Sequence, residues 1–124
     1  MKNKYFYTIL FLASILINCN KENSSNKNYA RGEELYKMYC IACHSLDGSN
    51  EEKFGPTFKG LYLKDRELTN GKMVVADEGY LRRSIVEPKQ EVPVAFKRVV
   101  MNPMGDFLSE DEIDFLINFI KEQK

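Results

Sequence analysis

"YCIACHSLDGS", residues 39–49, places Cys40, Cys43 and His44 within one helical turn, and His44 is the only histidine among 124 residues. Three chemistries use thiols and imidazole at this spacing: a zinc site, a redox-active dithiol, or covalent attachment of haem. Each needs different partners elsewhere in the chain, so the rest of the sequence discriminates among them.

The beginning of the chain bears on the compartment. Lys2 and Lys4 lead into "YFYTILFLASILI", 13 residues from Tyr5 to Ile17. A membrane-spanning helix needs about 20 apolar residues, so the run has the length of a secretory signal's apolar region. It ends in "LINC", which resembles a bacterial lipoprotein signal, with Cys19 acylated as the first mature residue. Residues 1–18 are then a signal segment. Residues 19–28 carry the lipidated Cys19 and a polar, aperiodic tether, and residues 29–124 form one domain with a thin core. Without residues 1–18 the chain keeps 16 Lys/Arg against 18 Asp/Glu. That balance leaves no basic stripe and argues against a nucleic-acid partner.

With Cys19 committed to lipid, the cysteine chemistry narrows. A zinc site normally takes four Cys/His ligands, whereas Cys40, Cys43 and His44 are three, two of them adjacent. A thioredoxin-type dithiol expects a βαβ framework, and no parallel-strand runs flank this motif. Haem attachment fits. Two thiols three residues apart each form a thioether to one edge of the porphyrin, and the following His44 meets the iron as proximal ligand. This reading demands a sixth ligand and helices to enclose the group.

Bis-histidine ligation is excluded because His44 is alone, which leaves methionine. Met1 lies in the signal, Met38 precedes the motif on its helix, and Met73 sits beside a turn in "NGKMVVADE". Met101 and Met104 remain, in "VVMNPMGDFLSEDE" (99–112). If neither reaches iron, the haem is five-coordinate and suits a protein that senses or reduces a small gas or peroxide. A structural lipoprotein without haem is the third class.

Three helices are expected. Tyr29, Gly32, Tyr36 and Tyr39 recur at three- and four-residue intervals along one helix side. Glycine costs about 1 kcal/mol inside a helix, so Gly32 predicts a close crossing with another helix. The partner is "LSEDEIDFLINFIKEQK" (108–124), where Ser109 and Glu112 have capping-box spacing. Ile113, Leu116, Ile117 and Ile120 form its apolar face, with Phe115 and Phe119 beside it. A middle helix starts at Asp77 as cap and ends before Pro88, with Tyr80, Leu81 and Ile85 inward. No convincing sheet is read, so the fold class is all-α. In the long loops, Phe54, Phe58, Leu61 and Val94 are expected against the macrocycle, and Arg66 or Tyr62 near its anionic propionates.

From Tyr29 to Lys121 the chain resembles the class I c-type cytochromes. The stretches "GPTFKGLY", "DREL" and "ADEGYLRRSIVEP" are especially similar to the cytochrome c domain fused to subunit II of some bacterial haem–copper oxidases. The membrane hairpin and copper-binding domain of that subunit have no counterpart here, so copper ligation is not carried over. The resemblance implies a class I cytochrome c fold, with three main helices and long loops wrapped around one covalent haem c. It assigns to Pro56 the carbonyl that fixes His44. It assigns the sixth ligand to Met101, with Met104 a packing residue, although Asn102 stands where many relatives have proline. Leu63 stands where such chains commonly carry a turn glycine. The implied role is a carrier of single electrons rather than an enzyme, membrane-tethered and facing the periplasm or cell exterior. Its partners would be redox proteins of a respiratory chain leading toward a terminal oxidase, with no small-molecule substrate.

Overall fold

A computed structural model describes residues 24–49 and 53–124. The signal segment, Cys19 and the first part of the expected tether lie outside the described residues. Residues 24–35 form α1, so residues 24–28, expected in the tether, are helical instead. Tyr29 anchors this end, its ring 5.2 Å from that of Phe119.

α1 runs directly into a π-helical turn, Tyr36–Cys40, in which the Ile41 N–H donates to the Tyr36 carbonyl at 3.0 Å. A wider turn advances each residue less around the axis. Tyr36 stays in the core at 4% exposure, but Tyr39, expected on the same side, is turned out to 50%.

The chain then forms a two-stranded antiparallel ribbon, β1 (Asp65–Glu67) against β2 (Met73–Val75), with Arg66 opposite Val74. The sequence reading had no sheet here. The loop between the strands contains Asn70-Gly71, Gly71 has φ +80°, and Leu68 and Lys72 close it by a backbone bond of 2.9 Å. Leu63, before the ribbon, has φ +62° and is the only described non-glycine residue with positive φ. A leucine there costs roughly 1–2 kcal/mol relative to a right-handed conformation. The Leu63 N–H offsets part of that by donating to the Ala76 carbonyl at 3.0 Å.

α2 (Glu78–Val86) begins where Asp77 Oδ1 accepts from the Tyr80 N–H at 2.8 Å, and it buries Tyr80, Leu81 and Ile85. A short 3₁₀ turn, Val94–Phe96, follows, and α3 (Glu110–Lys121) ends the fold. The α3 capping box is complete: Ser109 Oγ accepts from the Glu112 N–H, and the Glu112 carboxylate accepts from the Ser109 N–H. α3 contributes Ile113, Leu116, Ile117, Phe119 and Ile120 to one core that also holds Leu35, Tyr36, Leu81 and Ile85. Arg82 of α2 reaches Glu110 and Asp114 of α3, and Arg31 of α1 reaches Glu112 at 2.9 Å. Exposed pairs of this kind add little each, so apolar burial holds the helices together. Gly32 lies at the α1–α3 crossing, where a Cβ would stand 2.2 Å from the Phe115 carbonyl oxygen and 2.7 Å from Phe119 Cβ. The architecture is therefore all-α with one small added ribbon.

Candidate functional site

The site is built on the turn that ends the first helix. The N–H groups of Cys43 and His44 both donate to the Cys40 carbonyl, at 3.0 and 2.9 Å. This turn holds two free thiols, Cys40 half-buried and Cys43 exposed, next to one imidazole. The loop beginning at Lys53 folds back over it. Gly55 N–H donates to the Cys43 carbonyl at 2.8 Å, Phe58 N–H to the Ser45 carbonyl at 2.9 Å, and Lys53 Nζ to the Ile41 carbonyl at 2.8 Å.

His44 is only 8% exposed. Its Nδ1 lies 2.8 Å from the Pro56 carbonyl oxygen. A carbonyl only accepts, so Nδ1 carries the proton and Nε2 keeps its lone pair. Burial holds the imidazole below its usual pKa, with the Pro56 bond acting in the opposite direction; the ring is neutral near pH 7. Nε2 has no hydrogen-bond partner among the described residues. Phe58 stacks on the ring at 4.7 Å. Gly55 closes its edge so tightly that a Cβ there would come within 2.4 Å of His44 Cε1. That contact gives the Gly-Pro pair two tasks, clearance from Gly55 and a carbonyl from Pro56. The sequence reading found only the second.

The thiols do not suit the competing chemistries. Burial, aided by Cys43, pushes the Cys40 thiol up to about 11. A catalytic dithiol needs a thiol that ionises below the ordinary value. Among the described residues no group of three His/Cys/Asp/Glu side chains is arranged to hold a metal ion, which leaves zinc without its donor set.

The remaining expected residues fall as follows. Arg66, half-buried on the inner side of β1, has its Nε buried without a hydrogen-bond partner among the described residues. Tyr62 is engaged elsewhere, its ring 5.5 Å beneath Lys121 Nζ. Met101 and Met104 are both half-buried in the loop before α3. Met104 packs on the core and its N–H donates to the Ile85 carbonyl at 3.0 Å, whereas Met101 is not among the residues packed there. Phe58 and Leu61 belong to the protein's own core, and Phe54 and Val94 are exposed. A groove of about 650 Å³ between residues 24–29 and the end of α3 includes none of these residues.

The family model for cytochrome c matches residues 29–124, from within α1 to the end of the chain as given. The chain belongs to the cytochrome c family. As a cytochrome c it carries haem c bound covalently through Cys40 and Cys43, and the family's general work is electron transfer. The residues of this cytochrome fit the group on three counts. Two thiols lie beside an imidazole whose Nδ1 is already occupied, Gly55 leaves clearance for the ring, and the cationic Arg66 has an unsatisfied buried donor for an anionic edge.

Proposed function

We propose that this protein is a membrane-tethered electron carrier in which His44 Nε2 and the Met101 thioether would hold the iron of one haem c. It would work on the outer side of a bacterial membrane, passing single electrons along a respiratory chain toward a terminal oxidase. The observation that carries the reading is the 2.8 Å bond between His44 Nδ1 and the Pro56 carbonyl, which leaves Nε2 alone able to ligate. Such a bond also fixes ring orientation and raises ligand basicity.

When bound, haem c supplies a one-electron Fe(III)/Fe(II) couple, and methionine ligation raises its potential. The protein's part is orientation, burial and electrostatics. His44, held at Nδ1 by the Pro56 carbonyl and between Phe58 and Gly55, would present Nε2 to the iron. Met101 is favoured over Met104 because Met104 is already committed to the core. Held by His44 and Met101, the iron would offer no site to a substrate. Arg66, with a buried Nε that lacks a partner among the described residues, would offer its guanidinium to the propionates. The similarity of "GPTFKGLY" and "ADEGYLRRSIVEP" to an oxidase-fused cytochrome c domain supports an oxidase as the electron acceptor.

The ligand assignment is tested by the visible spectrum of the ferric protein. Its long-wavelength methionine-to-iron charge-transfer band is expected to persist in Met104→Ala and to vanish in Met101→Ala. A high-spin spectrum in the wild type would replace the carrier with a five-coordinate protein open to gases or peroxide.

The tether rests on Lys2, Lys4, the apolar run to Ile17 and Cys19. Several acyl chains at about 0.8 kcal/mol per buried CH₂ make membrane association stable. Fractionation of the exported protein is expected to place the wild type in membranes. A Cys19→Ser chain that remains there to the same extent would show that the anchor is something other than lipid.

A further inference from the structure

We infer that the Tyr36 hydroxyl is a positioning group for the proximal histidine, pinning the His44 carbonyl so that the imidazole holds one orientation. This rests on the reading that His44 ligates the haem iron.

Tyr36 stands at the start of the π turn, buried in the core, and its hydroxyl donates to the His44 carbonyl at 2.9 Å. Its ring stacks on Phe119 at 5.4 Å and meets Phe58 at 5.7 Å, and Phe58 in turn lies on the imidazole. A phenylalanine would fill the same space and make the same ring contacts. The oxygen is therefore extra, and placing a hydroxyl in an apolar core is unfavourable unless it bonds. The bond it makes completes a pattern around His44. The His44 N–H is taken by the Cys40 carbonyl, its own carbonyl by Tyr36, and its Nδ1 by Pro56. Two of those partners, Tyr36 and Cys40, stand at the two ends of the π turn, and the third belongs to the folded-back loop. Every polar atom of His44 except Nε2 is thus fixed.

The π turn accounts for the reach. The widened turn keeps Tyr36 directed inward while carrying Tyr39 out to solvent. The phenol meets a carbonyl eight residues further on instead of the next helical turn.

The test is made on the holoprotein. Tyr36→Phe keeps the ring and removes only the donor. It is expected to lower the reduction potential, because the carbonyl's negative end is no longer balanced and favours the more positive iron state. It is also expected to shift the proton resonances of the His44 ring in the ferric protein. Tyr36→Leu, which also loses the ring, is expected to melt well below Tyr36→Phe while showing a drop in potential in the same direction. In the reduced wild type the hydroxyl proton should be resolved and slow to exchange, close in space to His44. A Tyr36→Phe protein with wild-type potential and ring resonances, or a wild-type hydroxyl that exchanges freely, would overturn the inference and reduce Tyr36 to a packing residue. A wild type lacking histidine-ligated haem would overturn the proposed function as well, so the two failures are distinct.

Discussion

A chain carrying Cys40→Ala and Cys43→Ala is expected to leave no haem-staining band on a denaturing gel, whereas the wild type stains at the mass of the protein. Denaturation releases any haem held only by ligation or packing, so the stain reads covalent attachment alone. The loss should be complete in the double variant, because each thiol supplies one thioether and no other described cysteine lies near the turn. Each single variant keeps one attachment point and should stain more weakly than the wild type. The two thiols differ in access. Cys43 is exposed, while Cys40 is half-buried with its pKa pushed up to about 11. Its thiolate fraction near neutral pH is accordingly small, and the thiolate is the reactive form. An unstained wild-type protein, exported and full length, would remove haem from the account altogether.

What could be read from the sequence followed local rules. Asp77 and the Ser109–Glu112 pair marked two helix starts because capping depends on residues three apart, and both caps are present. Gly32 predicted the crossing because a glycine inside a helix needs a packing reason, and α3 supplies one. The ring contacts of His44 were out of reach by the same logic. Phe58 and Gly55 meet the imidazole through a loop that returns over the turn, and nothing in their spacing encodes that return. The π turn was invisible because the tyrosine pattern fits ordinary helical periodicity over its whole length. One widened turn left Tyr36 inside, moved Tyr39 out, and made the hydroxyl contact to His44. The ribbon was missed for a different reason. Its strands have three residues each, too few for alternation to register, although Asn70-Gly71 is a turn signal. Elimination left two candidates for the sixth ligand, Met101 and Met104, of which Met104 packs against the core.

Gly32→Ala is expected to destabilise the holoprotein by about 2–3 kcal/mol, the upper part of the range for forcing an extra carbon into a packed interior. In a domain of this size that corresponds to a fall of roughly 10–20 °C in Tm. The magnitude follows from what the new methyl would meet. The nearest atom is a backbone carbonyl oxygen, that of Phe115 at 2.2 Å, and the next is Phe119 Cβ at 2.7 Å. Neither belongs to a flexible side-chain end, so α1 and α3 must separate. Separation disturbs the contact of Phe119 with Tyr29 and Tyr36, and through Tyr36 the floor of the His44 site. Gly79→Ala is the matched control. Gly79 is an exposed position in α2, where the added carbon meets only the side-chain ends of Arg83 and Asp77 at 3.2 and 3.3 Å. Helix propensity there favours alanine by roughly 0.8–1.0 kcal/mol, so Gly79→Ala should stay within about 1 kcal/mol of the wild type. Thermal melts of the three proteins decide the matter, and a Gly32→Ala protein that melts with the wild type would mean the helices do not cross there. Haem staining of Gly32→Ala should remain, because Cys40 and Cys43 are untouched, and this separates attachment chemistry from the packing that holds the turn in place.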